Sequence, residues 1–391
     1  MSEEICVPDL DLSDFMLDKA REVLVPIDKL SPYHQACIFD LGSSEFRAIE
    51  LWELFEDYSG FGCSEFMKKF VSQLLKDKGN QGHTLLYVLD DGSFDEINQF
   101  ALEWGNFIDS IHHQHRFFNK YGKEYLDKLF ESLFQYIQDN PDWITTIDSN
   151  TTIFRARIAT DEKIRESIKT APIEQLGPTP CHLATNQRMS PDGISVLYGA
   201  LNRETCINEI RPLVGDTVVS AEFRALKEIK LLNLNTLEKF SVCLDIFDDK
   251  YLQYTHSEHF FKELIFLMSR PAREEHKNSY LPTQIIFEYL SIKMGPELDD
   301  LLYSSVQSNH AGNCLALFPN SSNLNRDSVC VLDGYENPFS DSCETLYWVP
   351  DSLKFHPIKG VKYTYETEDN DFFLKANKET LKLLSMRRFD K

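Results

Sequence analysis

The spacing of apolar side chains changes character once along the chain. From about residue 10 to residue 140 the pattern is helical. Ser44 to Tyr58 opens on a capping Ser and places Ile49, Trp52 and Phe55 on one helical face. Ser64 to Lys76 repeats the scheme with Phe66, Phe70, Leu74 and Leu75. Phe94 to Ile111 and Lys123 to Ile137 are two further expected helices, with Gly122 as the break between them. Pro141 disfavours helical geometry at Asn140 and should stop the last one. Leu85 to Leu89 is short and apolar, and reads as a strand.

Past Asp142 the runs shorten. IFRAR, SVLYG, TVVSAEF, IKLLNL, LLYSSV, CLALF and SVCVL are β-branched or apolar, and Gly, Pro, Asn and Asp separate them. Two helices are expected among them, Ser257–Arg270 and Thr283–Met294. Pro282 precedes the second, where a missing N–H costs nothing. A shorter helix is expected at Glu204–Ile210, because Pro212 pushes Arg211 out of helical geometry. Strands mixed with helices predict a compact α+β domain. The polar stretch PDWITTIDSNTT suggests a boundary at 142–152, giving a helical domain over 1–141 and an α+β domain over 142–391. GVKYTYE near the end is expected to add a strand, and KETLKLLSMRR a short amphipathic helix. No repeat of fixed period is present.

Composition narrows the functional classes. The 391 residues carry 62 acidic against 40 basic side chains, a net charge of −22. Such a surface repels nucleic-acid phosphates and anionic lipid, so any phosphate-bearing ligand needs a local basic pocket. Solubility alone is the simplest role of the charge. The nine Cys are scattered and contain no C-x-x-C pair, which reads as reduced thiols of a cytoplasmic protein rather than disulfides or a zinc site. The N-terminal residues lack the basic and apolar regions of a signal peptide. No apolar run approaches the ~20 residues that span a bilayer.

Four segments of the second domain stand out. IFRARIA carries Arg155 and Arg157 at alternate positions, on one strand face. GPTP, followed by QRMSPDGISVLYGA, sets Arg188 after a loop stiffened by Gly177, Pro178 and Pro180 and ends near Tyr198. LNRETCINEIRP carries Glu209. YLPTQIIFEYL is followed by LLYSSVQSNHAGNCLALF, which holds Ser304 and Ser305.

In this order, over roughly Ile153 to Phe318, these segments resemble the RES domain family, named for its Arg, Glu and Ser. Cys206 stands where a small Ala is usual. Ser304 stands where Pro is common, which leaves both Ser304 and Ser305 open as the functional serine. The resemblance implies a fold similar to the ADP-ribosyltransferase toxins and an enzyme that degrades NAD. It implies cleavage of the nicotinamide–ribose bond with water or phosphate as acceptor, as a toxin, an antiviral effector or a fused effector domain. Arg188, Tyr198, Glu209 and Ser305 match the family's functional positions. NAD would be a consumed substrate, with no cofactor and no metal. Expected partners are NAD itself and an inhibitory antitoxin or regulatory protein, or a second copy in a homo-oligomer. Membrane and nucleic acid are not expected partners.

The chemistry of the side chains fits that implication. Arg binds pyrophosphate oxygens in two places through its planar fork. Arg188 would hold the phosphates, helped by Arg155 or Arg157. Tyr198 offers a flat face to nicotinamide and a hydroxyl to anchor it. Losing nicotinamide builds positive charge at the ribose anomeric carbon, and a carboxylate such as Glu209 stabilises it, as in glycoside hydrolysis. Ser305 would bond substrate or fix Glu209. Taken singly, each residue has a plainer role: Arg188 a surface ion pair, Tyr198 core, Glu209 a solvated helix face, Ser305 a local hydrogen bond. Transfer of ADP-ribose to a macromolecule, and a non-catalytic binding protein, are the alternatives.

Other signals are weaker. His112–His115 (HHQH) lacks a full ligand set for a metal. Arg116 is not followed by the His of the HEPN ribonuclease motif. RES proteins include some whose helical N-terminal domains resemble HEPN domains, so residues 1–141 are expected to sense or regulate. Cys181 and His182 are adjacent in sequence and poorly placed to act on each other. No G-x-G-x-x-G follows a strand, which excludes a Rossmann site for NAD.

Overall fold

The computed structural model describes residues 18–39, 47–50, 53, 86–139, 143–269, 278–295, 298–308, 311–318, 321 and 344–362. Its contacts divide the chain into two units, 1–106 with 241–261, and 107–240 with 262–391. This division departs from the expected boundary at 142–152. The polar stretch there contains a strand, Ile144–Ile147, that joins the main sheet.

In the first unit, Leu24–Pro26 pairs antiparallel with Tyr87–Leu89, and Ile49 forms a bridge with Tyr87. Ile49 was expected on a helix. Its place beside the two strands shows tertiary pairing overriding local periodicity. The expected helix at Ser64–Lys76 lies outside the described residues. Buried His256 bonds Asp90 through Nε2 at 2.8 Å and accepts the Gln99 amide at Nδ1. Asn98 donates to the carbonyls of Gly92 and His256, so this buried polar network is satisfied.

In the second unit, helix α1 spans Lys120–Asp139. Gly122 lies inside its first turn and does not break it. Asn119 caps the helix by accepting the Gly122 amide at 2.7 Å. The interruption falls earlier, where Ser110–Gln114, including His112 and His113, winds into a π-helical turn. Leu126, Leu129, Phe130, Leu133 and Ile137 are buried at helical spacing. Each such side chain contributes roughly 1.5–3 kcal/mol when buried.

The sheet follows in chain order: β1 Ile144–Ile147, β2 Thr152–Ile158, helices α2 Glu162–Thr170 and α3 Pro172–Leu176, then β3 Leu197–Ala200. Helix α4 Arg203–Glu209, β4 Thr217–Ala225 and β5 Ile229–Asn233 come next. Helix α5 Leu281–Met294, β6 Asp300–Ser304, β7 Asn313–Leu317, β8 Leu346–Trp348 and β9 Lys354–Pro357 complete it. The nine described strands run β8-β4-β2-β3-β7-β6-β5-β1, with β9 also paired to β4. Only β5 and β6 pair in parallel among them, so the sheet is mixed and the architecture is α+β. One face is apolar: Ile153, Val219, Ala221, Phe223, Leu315 and Leu317 are buried there with Ile168 of α2 and Leu176 of α3.

Most expected strands appear where the alternation placed them. The chain from Gly360 to Lys362 is not a strand, and β9 lies just before it. The remainder of GVKYTYE, the run SVCVL and the C-terminal KETLKLLSMRR fall outside the described residues. A long helix, Tyr251–Ser269, begins earlier than the expected Ser257. No helix among the described residues is long and apolar enough to cross a membrane.

Candidate functional site

The site lies on the sheet face opposite the apolar core. Directly opposed residues of paired strands share a face. Tyr198 opposes Ala316, while Cys314 opposes both Ala200 and Tyr303. Tyr198, Tyr303 and Cys314 therefore project together, away from Leu197, Leu302, Leu315 and Leu317.

Glu209 closes helix α4. Asn202 starts that helix by accepting the Thr205 amide at 2.7 Å. It ends as expected before Pro212, with Arg211 at a left-handed φ of 48°. The Glu209 Oε1 accepts a hydrogen bond of 2.5 Å from Ser305 Oγ. Ser305 follows β6 and is fully buried. Its hydroxyl also accepts the Ser308 amide at 3.1 Å, so its single proton goes to the carboxylate. Ser304 faces elsewhere and donates to Asn235 Oδ1 at 2.6 Å. The loop after β6 is pinned further by the Ser305 amide, which donates to Gly312 O at 2.8 Å. A Cβ at Gly312 would fall 1.8 Å from Thr205 Oγ1, so the loop reaches α4 this closely only because residue 312 is Gly.

Arg188 sits at the tip of a tight turn. Gln187 and Ser190 form a bridge that leaves Arg188 and Met189 at the apex. The Arg188 guanidinium lies over the Tyr303 ring, 6.0 Å from its centroid. The Tyr198 hydroxyl accepts the Met189 amide at 3.0 Å and lies 3.3 Å from Ser190 Oγ.

The two arginines of β2 have different partners. Arg155 donates to the Tyr198 carbonyl at 3.2 Å. The β2–β3 ladder consists of one residue pair, Phe154 with Ala200, so this guanidinium serves a β3 carbonyl beyond that pair. Burial pulls the Arg155 pKa down to about 10, aided by the neighbouring Arg157, and it stays charged at neutral pH. Arg157 is exposed and bonds Gln175 at the end of α3 through both its side chain and its carbonyl.

Two thiols and a phenol lie within the field of these groups. Burial pushes the Cys206 thiol up to about 12, with Glu209 adding to the effect and Arg155 opposing it. Burial, then Glu209, raises Cys314 as well. Neither is a thiolate at neutral pH, so neither is a ready nucleophile. Burial also holds the Tyr303 phenol well above its ordinary value, with Arg188 opposing and Glu209 adding. Cys181 and His182 lie in an exposed short turn.

Sequence reasoning assigned no role to Tyr303, Thr283 or Gln284. Tyr303 is two positions before Ser305, and strand alternation with Leu302 in the core was the signal for it. Thr283 and Gln284 lie within the YLPTQIIFEYL segment, as polar residues on an otherwise apolar buried helix face.

The model of the RES domain family matches residues 155–336, a span that takes in Arg155, Arg188, Tyr198, Glu209 and Ser305. No curated protein matches the chain.

Proposed function

Residues 155–336 form a RES domain, a domain consistent with an NAD-related effector role, and on that premise we propose that this protein breaks the bond between nicotinamide and ribose in NAD. The Ser305–Glu209 hydrogen bond carries the reading: it holds a partly exposed carboxylate in one orientation, and that carboxylate and the Arg188 guanidinium both act electrostatically on the Tyr303 phenol. Arg188 binds the pyrophosphate against the repulsion of a chain of net charge −22, while Arg155, opposite Ala221 on the apolar face of the sheet, supports the Tyr198 carbonyl from behind. Tyr198 borders the nicotinamide.

As the C–N bond breaks, its electron pair passes to the ring nitrogen, and nicotinamide leaves neutral without a general acid. Glu209 stabilises the charge that develops on the ribose. Water or phosphate then attacks the anomeric carbon, and for water the proton passes to Glu209 and on to solvent. The products are ADP-ribose or its 1″-phosphate. In a cell this chemistry acts as a toxin or antiviral effector by NAD depletion, with an antitoxin or residues 1–141 as its restraint.

The test is to incubate purified protein with NAD, with and without phosphate, and to follow nicotinamide, ADP-ribose and ADP-ribose-1″-phosphate by chromatography. Release of nicotinamide with one of the two products is expected. No loss of NAD under either condition overturns the reading. Adenylate label retained on protein would replace it with ADP-ribosyl transfer.

A further inference from the structure

Arg188 is carried by a turn whose main-chain polar groups are taken up by side chains from two other elements. Gln284, buried in the first turn of α5, places its amide nitrogen 2.5 Å from Asn186 Oδ1, 2.7 Å from Gln187 O and 3.2 Å from Ser190 O. Thr283, also buried, brings Oγ1 to 2.5 Å from Arg188 O. The Tyr198 hydroxyl takes the Met189 amide at 3.0 Å. A turn at the surface ordinarily leaves such groups to water. Here the carbonyls on both sides of the apex and the carbonyl of Arg188 itself have fixed protein partners.

The two α5 residues are out of character with their helix. Leu281, Ile286, Phe287 and Leu290 bury apolar side chains on it. Burying an amide and a hydroxyl on the same helix is costly unless both are bonded; the Gln284 amide directs its hydrogens at the turn, and the Thr283 hydroxyl, with one proton to donate, lies closer to Arg188 O than to Tyr280 O at 2.8 Å. Packing alone would be served as well by apolar residues of similar volume. What the polar pair adds is a unique position for the main chain of the turn, and therefore for the root of the Arg188 side chain.

We propose that Gln284 and Thr283 are positioning residues that clamp the Arg188 turn so that its guanidinium meets the pyrophosphate of NAD. The proposal rests on the reading of Arg188 as a phosphate ligand. It extends that reading to residues that touch no substrate and act through Arg188, with the Tyr198 hydroxyl as the third member of the clamp. Pyrophosphate is remote from the bond that breaks, so its misplacement weakens binding more than it slows the chemistry. A displacement of about 1 Å at such a group can cost on the order of a hundredfold in efficiency.

Gln284→Leu keeps the volume and removes the donor. Thr283→Val is nearly isosteric and serves if Gln284→Leu does not fold. Two measurements are made on each full-length variant: hydrogen–deuterium exchange of the peptide covering residues 184–190 without substrate, and steady-state NAD consumption. Faster exchange confined to that peptide is expected, with KM for NAD raised about tenfold or more and kcat changed less. Exchange equal to wild type in both variants overturns the clamp. So does a lowered kcat at unchanged KM, which is what loss of folded protein would give. A wild-type protein that consumes no NAD overturns the functional reading, and the exchange result still decides whether the clamp exists.

Discussion

Ser305 donates its only hydroxyl proton to Glu209, across 96 residues of sequence, at 2.5 Å. One partner ends a short helix and the other follows a strand, and Gly312 and Thr205 hold the two elements in close approach. The carboxylate is thus oriented before any substrate arrives, which is the arrangement an electrostatic catalyst needs.

Replacing Glu209 with Gln tests the carboxylate without removing the hydrogen-bond acceptor. Ser305 can still donate to the amide oxygen, so thermal unfolding should be close to wild type. Turnover of NAD should fall by about 10²–10³-fold, the usual scale for loss of one preorganised charge-stabilising group. A variant that keeps wild-type turnover would mean that another group stabilises the ribose charge.

The two adjacent serines should behave differently. Ser305→Ala deprives Glu209 of its donor and the Ser308 amide of its acceptor. Stability should drop by about 1–3 kcal/mol, and kcat by tenfold or more. Ser304→Ala breaks only the bond to Asn235, so its kcat should stay within about twofold of wild type while stability falls by about 1 kcal/mol. Paired denaturant titrations and NAD assays decide it, and equal kcat losses in the two variants would count against the assignment.

Gly312→Ala should separate helix α4 from the Ser305 loop. The new Cβ would meet Thr205 Oγ1 at 1.8 Å and Thr205 Cγ2 at 2.8 Å. Overpacking of this kind costs about 1–3 kcal/mol. Adding Thr205→Ala removes both of those atoms, the 1.8 Å contact among them, leaves only the residue 205 Cβ at 2.8 Å, and should restore part of the stability and of the turnover. Absence of any rescue in the double variant would show that the strain lies elsewhere.

Acid should weaken the contact between α1 and α5. Burial raises the Asp127 pKa, but hydrogen bonds from Lys123, Lys293 and Tyr289 outweigh it and bring the carboxyl down to about 2. In the unfolded chain it titrates near its ordinary value of about 4. The bonded carboxylate therefore stabilises the fold above pH ~4, and that contribution is lost as pH falls from about 4 towards 2. Asp127→Asn should be less stable at neutral pH and should show a shallower fall in stability over that window. A slope identical to wild type would remove Asp127 from the acid response.

How much of this could be read from the chain differs from residue to residue. The sheet strands were legible because alternation and bounding Gly, Pro and Asn are local signals. The end of α4 was legible because Pro212 constrains Arg211 directly. The strand Ile144–Ile147 was not, since four residues, Ile-Thr-Thr-Ile, set in a polar, turn-rich stretch have too little alternation to separate them from a loop. Ile49 was misplaced for the opposite reason: its helical spacing was clear, yet pairing with Tyr87 decided its geometry.

For the site, the sequence by itself determined which residue types were present and in what order: Arg155, Arg157, Arg188, Tyr198, Glu209, then two serines. Only the tertiary structure decided which serine reaches Glu209, that Arg157 bonds Gln175 while Arg155 bonds Tyr198, and that Gln284 grips the turn behind Arg188. These relationships are hydrogen bonds between groups distant in sequence. They depend on where a strand ends and how closely two elements approach, and no local periodicity records either.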